Sequence, residues 1–95
     1  MRETGKRPLP QRLAEHLSLP EDVAAGAALI TMVGCCGVRV ENHRGILKFT
    51  EQCLILKTRQ KNLCISGNAL AIRQFSEEIL EVSGNIESVA FQGGR

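Results

Sequence analysis

From Leu29 to Phe91, apolar residues alternate with polar ones in short runs that are separated by Gly, Asn, Glu or Thr. A period of two is the signature of a strand with one buried face. The pattern predicts about eight short strands, at 29–33, 37–41, 46–50, 53–58, 62–66, 69–74, 78–83 and 86–91. No segment of helix length interrupts them, which excludes a parallel sheet built on helical crossovers. The expected fold is mainly β: a meander, roll or sandwich. An internal echo leaves one alternative open. Leu63-x-Ile65-Ser66-Gly67-Asn68 returns 17 residues later as Leu80-x-Val82-Ser83-Gly84-Asn85, and such a period also suits a two-strand β-solenoid. Asn42-His43-Arg44-Gly45 has the composition of a hairpin turn, which favours the meander.

Ahead of the strands the pattern differs. Leu9, Leu13 and Leu17 recur every fourth residue, which predicts a short amphipathic helix over 10–18. Ser18-Leu19-Pro20-Glu21 then has the form of a capping box, so a second helical turn is expected to reach residue 25 and stop at Gly26. Residues 1–9 read as a flexible basic arm, 10–92 as a single β-rich domain and 93–95 as a flexible tail.

Alternation assigns Ile30, Met32, Val38, Val40, Leu47, Phe49, Leu54, Leu56, Leu63, Ile65, Leu70, Ile72, Leu80, Val82, Val89 and Phe91 to the core face. The opposite face carries charge along part of its length and an apolar cluster of Val33, Ile46, Ile55 and Cys64. Such a cluster needs a cover. The leucines of the N-terminal helix are one, and a second subunit or another protein is the alternative.

Composition narrows the function. The chain has 95 residues, 23% of them charged and a net charge of +2, and no stretch nears the roughly 20 apolar residues of a membrane helix. No apolar run of signal-peptide length follows the basic N-terminus before Pro20, so four free thiols in a reducing cytoplasm are expected. Cys35, Cys36, Cys53 and Cys64 contain no Cys-x2-Cys pair, and adjacent cysteines on a strand point to opposite faces, so the spacing is poor for a metal. A metal or thiol-redox protein using these cysteines and His43 is the second functional reading.

Enzyme constellations are thin. Neither His16 nor His43 lies beside a nucleophile motif, and Gly34-Cys35-Cys36-Gly37 lacks the Lys-Ser/Thr of a phosphate loop. Arg39, Arg44, Lys48, Lys57, Arg59 and Lys61 make the middle of the chain basic. With Phe49 and Phe91 assigned to the core and neither Tyr nor Trp present, no stacking platform for nucleic acid is expected. The first functional reading is a non-enzymatic module with no cofactor, one that binds a protein partner or further copies of itself through its second face or its edge strands.

Leu19-Pro20-Glu21-Asp22-Val23, Ile30-Thr31-Met32-Val33-Gly34 and Val40-Glu41-Asn42-His43-Arg44-Gly45-Ile46-Leu47 resemble the YabP/YqfC sporulation protein family. Leu54-x-Leu56-Lys57-Thr58, Leu63-x-Ile65-x-Gly67 and Val82-x-Gly84-x-Ile86 continue the likeness, and the short N-terminal region puts the chain nearest the YqfC branch. The resemblance implies a role in endospore formation, in the mother-cell cytoplasm or recruited from there to the forespore membrane surface, with no established catalysis. It also implies a candidate partner, the membrane-associated sporulation protein YqfD. It carries over Glu41, Asn42, His43, Arg44 and Gly45 as a partner-binding turn, with Gly34, Gly67 and Gly84 as backbone positions. Cys35-Cys36-Gly37 departs from the family pattern.

Overall fold

A computed structural model describes residues 26–93. The expected arm, the helix over 10–18, the helical turn ending at 25 and the last two residues of the tail lie outside that range. Among the described residues there are six strands and no helix: β1 (Leu29–Val33), β2 (Gly37–Glu41), β3 (Ile46–Phe49), β4 (Cys53–Leu56), β5 (Asn62–Phe75) and β6 (Ile79–Gln92). All pairings are antiparallel, in the order β1-β2-β6-β5-β4-β3. A mainly β sheet is thus present, and its antiparallel ladders exclude the solenoid.

The last four expected strands are two long ones. The expected strands break at Gly67-Asn68 and at Gly84-Asn85, but β5 and β6 run through both positions and bend there. Asn68 faces Asn85 in the ladder, and register shifts lie between Ser66 and Gly67 and between Asn68 and Ala71. The two copies of the Ser-Gly-Asn echo therefore pair with each other and form one corner. Bulges of this kind bend a strand and increase its local twist. The bend divides the sheet into two halves. One holds β1, β2, the start of β6 and the end of β5; the other holds β3, β4, the start of β5 and the end of β6.

Backbone groups freed at the corner are taken up by the neighbouring turns. Gly67 and Leu70 donate to the Gln52 and Glu51 carbonyls at 3.0 and 2.9 Å, while Gly84 and Ile86 donate to those of Cys36 and Cys35 at 3.0 and 2.8 Å. A buried backbone N–H without a partner is costly, so the β1–β2 and β3–β4 turns brace the bend from either side. That gives Cys35 and Cys36 a main-chain role while their side chains remain exposed.

Folding the sheet on itself lets one face supply the whole core. Val38 and Val40 of β2, Leu54 and Leu56 of β4, Leu63, Ile65 and Leu70 of β5, and Leu80, Val82 and Ile86 of β6 form a single buried cluster drawn from both halves. Each large aliphatic side chain fully buried there contributes about 1.5–3 kcal/mol. Of the seven other expected core residues, Ile30, Ile72 and Val89 pack half-buried against it, whereas Met32, Leu47, Phe49 and Phe91 are 47, 55, 40 and 56% exposed. Met32 and Phe49 sit on the two edge strands, and Phe91 near the end of β6, where the cross-strand rows run out. Leu47 is the extra residue of a bulge: Ile46 opposes Leu56 and Lys48 opposes Ile55, so Leu47 has no partner on β4. The same bulge turns Ile46 against the core. Ile86 joins the core because the corner redirects β6.

Candidate functional site

Strand order corrects the reading of residues 42–45. β2 and β3 are not neighbours, so Asn42-His43-Arg44-Gly45 is a crossover from one half-sheet to the other and not a hairpin turn. Asn42 takes a left-handed conformation, φ 69°, which Asn tolerates better than most residues. Its N–H donates to the Glu78 carbonyl at 2.7 Å and its side-chain amide to the Ala27 carbonyl at 3.0 Å. Arg44 N–H and Lys57 N–H then tie the crossover to the end of β4, through the Lys57 and Gly45 carbonyls, at 2.7 and 2.9 Å.

His43 is buried beneath this loop, 4% exposed. Its Nδ1 accepts the Gly45 N–H at 3.0 Å, so the ring proton resides on Nε2, which donates to the Ser76 carbonyl at 2.9 Å. The imidazole thus spans the crossover and the β5–β6 turn, and both nitrogens are committed to main chain. Phe75 stacks on it with ring centroids 5.4 Å apart, although Phe75 is 56% exposed. The Arg44 side chain is exposed as well. Among the described residues the ion pairs are those of Arg39 with Glu41 and Glu81, so Glu41 is engaged and Arg44 has no carboxylate partner. The buried histidine is thus followed in the chain by an exposed arginine and is packed against a half-exposed ring.

The apolar cluster expected on the second face is only partly assembled. Ile55 and Cys64 are directly opposed on β4 and β5, in a cross-sheet row that starts at Lys48 and ends at Ala90. Ile46 has turned inward, and Val33, 70% exposed, belongs to β1 on the other half-sheet. Beside Ile55, the Cys53 and Cys64 sulfurs lie 3.9 Å apart. Burial, and then the adjacent Cys64 thiol, raise the pKa of Cys53, while Lys48 acts in the opposite direction. Spacing along the chain gave no sign of this sulfur pair, because it depends on the β4–β5 register. Among the described residues no three His, Cys, Asp or Glu side chains gather where they could hold a metal, and no helix is long and apolar enough to cross a membrane.

On the other half-sheet an open groove of about 270 Å³ includes Thr31, Val33, Arg39, Arg73 and Glu81 in its lining. Its cations are already engaged, since Arg39 pairs with Glu81 and Arg73 donates to the Ser83 hydroxyl at 2.8 Å. The three phenylalanines are all exposed, by 40–56%. Phe49 and Phe91 lie on strands that β4 and β5 separate, roughly 14 Å apart at the usual strand spacing, and Phe75 is held against His43. They do not line up as a stacking surface.

A family model described as the YabP family matches residues 25–95. The chain is also similar to a Bacillus subtilis (strain 168) protein described as uncharacterized protein YqfC, at 35% identity over 79 residues that cover 83% of this chain and 85% of the relative. No solved structure matches it.

Proposed function

The chain belongs to the YabP family, and on that premise we propose that it is a non-enzymatic docking and assembly module of endospore development. In this reading it works in the mother-cell cytoplasm and is recruited to the forespore membrane surface by a protein partner, for which the membrane-associated YqfD is the candidate. The observation that carries the reading is the exposure of every phenylalanine in the chain. Aromatic side chains normally dominate the energetics of a core, and this chain places its three at the margins, where another protein surface can reach them.

In this reading Arg44 of the crossover and Phe75, which packs on His43, supply the recognition contact, and Ile55 with Cys64 is a second apolar patch. Asn42, His43 and Gly45 position the loop. Glu41 serves through its ion pair with Arg39. The absence of catalysis in this reading is supported by His43, whose two ring nitrogens are both bonded to main chain and leave none for proton transfer. The test is co-purification of YqfD from cells that express both proteins. Arg44→Ala with Phe75→Ser is expected to abolish capture while the circular dichroism spectrum and melting temperature stay within a few degrees of wild type. Undiminished capture by that double variant would sink the assignment.

A further inference from the structure

β1 and β3 are the first and last strands in the order of the sheet, each with one edge unpaired along its whole length, and they are built differently. An unpaired edge presents main-chain N–H and C=O groups that template pairing with another strand, and proteins blunt such edges with charge, bulges or proline. β3 has a bulge at Leu47 and a lysine at position 48. β1 has neither. Its five residues, Leu29-Ile30-Thr31-Met32-Val33, pair with β2 in unbroken register. They lie in the longest uncharged stretch of the sequence, between Asp22 and Arg39. Thr31, Met32 and Val33 are exposed.

We infer that the β1 edge is the docking strand for a second copy of this chain, the two β1 strands pairing antiparallel about a two-fold axis at Thr31. The inference deepens the reading of the chain as an assembly module. The sequence of β1 is self-complementary under that operation. Thr31 meets Thr31 of the second copy, Ile30 meets its Met32 and Leu29 meets its Val33, so every apolar residue opposes an apolar one and no charge opposes its like. Ile30 and Met32 share the core face with their buried partners Val40 and Val38. The core-facing row that begins at Met32 is thereby extended by Ile30 of the second copy, and the row from Ile30 by its Met32. The incoming strand covers Met32, which a single sheet leaves half exposed. An unrelated extended peptide could satisfy the main chain but has no reason to match this side-chain pattern in both directions.

The test uses the full chain carrying Cys35→Ser and Cys36→Ser. Light scattering is expected to give twice the protomer mass, and Thr31→Lys, at an exposed position, to return the protein to a monomer with unchanged circular dichroism. In the same background, Thr31→Cys is expected to cross-link to itself through a short bis-maleimide. Val33→Cys is not, because the two Val33 positions would stand about 14 Å apart along the paired strands. A monomer at every concentration, a dimer that survives Thr31→Lys, or equal cross-linking at both positions overturns the inference. If Thr31→Lys fails to fold, the cross-linking pair decides. Capture of YqfD by the Thr31→Lys monomer, or its loss only on Arg44→Ala with Phe75→Ser, reports on the docking reading separately.

Discussion

Gly67 approaches the carbonyl oxygen of Asn85 so closely that a Cβ on Gly67 would stand 2.0 Å from it. The relation is nearly reciprocal, since a Cβ on Gly84 would lie 2.7 Å from the Ala69 carbonyl, at a φ of +142°. Each glycine of the Ser-Gly-Asn echo therefore makes room for the main chain of the strand that carries the other. The repeated motif is one corner seen from its two sides.

Gly67→Ala and Gly84→Ala are both expected to destabilise the fold by about 2–4 kcal/mol, from overpacking against main chain and, at Gly84, from strained φ. Urea denaturation measures this. Because the obstacle is main chain and no flexible side chain can yield, a loss below about 1 kcal/mol at Gly67 would contradict the geometry.

Leu54 and Ile55 are neighbours on β4 with opposite duties. Leu54 is fully buried, and Leu54→Ala is expected to cost about 2–5 kcal/mol in thermal or urea unfolding. Ile55 lies half-buried on the outer face, and Ile55→Lys is expected to change stability by about 1 kcal/mol or less while weakening partner capture.

Removing the His43 ring orphans the Ser76 carbonyl and the Gly45 N–H. His43→Ala should lower stability by about 2–4 kcal/mol, from two unsatisfied groups and a lost stack. Calorimetric melting of the variant, with amide exchange at Gly45 as a local readout, checks both parts.

Thiol chemistry separates the cysteines. The pKa of Cys53 is raised, so at neutral pH it carries less thiolate than an ordinary cysteine, and thiolate is the reactive species. Alkylation at pH 7 followed by mass mapping should label the exposed Cys35 and Cys36 first, with Cys53 reacting later and its rate still climbing as pH rises past the ordinary thiol range. Equal rates at Cys35 and Cys53 would contradict the partial burial of the β4–β5 pair.

The sequence made β1 and β2 legible to the residue, because alternation there is uninterrupted and Gly34 marks the turn. It also placed most of the buried aliphatic residues of β4, β5 and β6. Leu47 was misread because a bulge inserts a residue without changing composition, and a period of two cannot register the skipped step. Gly67-Asn68 and Gly84-Asn85 read as breaks between strands because Gly and Asn suit turns and bulges equally. Strand order lay beyond alternation altogether, and with it the conversion of the 42–45 segment into a crossover and of His43 from a turn residue into a buried brace. Exposure of Met32, Phe49 and Phe91 follows from position within a row, which pattern along one strand does not encode.

Strand order also bears on how the chain acquires its structure during synthesis. β1 with β2, and β3 with β4 and β5, can zip locally as they leave the ribosome, but the inner neighbour of β2 is β6. Arg39 and Glu81, opposed across that ladder, are 42 residues apart in sequence. Until β6 emerges, Val38 and Val40 have no row to join and the β1–β2 hairpin is only marginally stable by itself. The core therefore closes late, in one step that β6 completes, and a ribosome stalled within β6 would display the uncharged β1 strand beside an unsealed core.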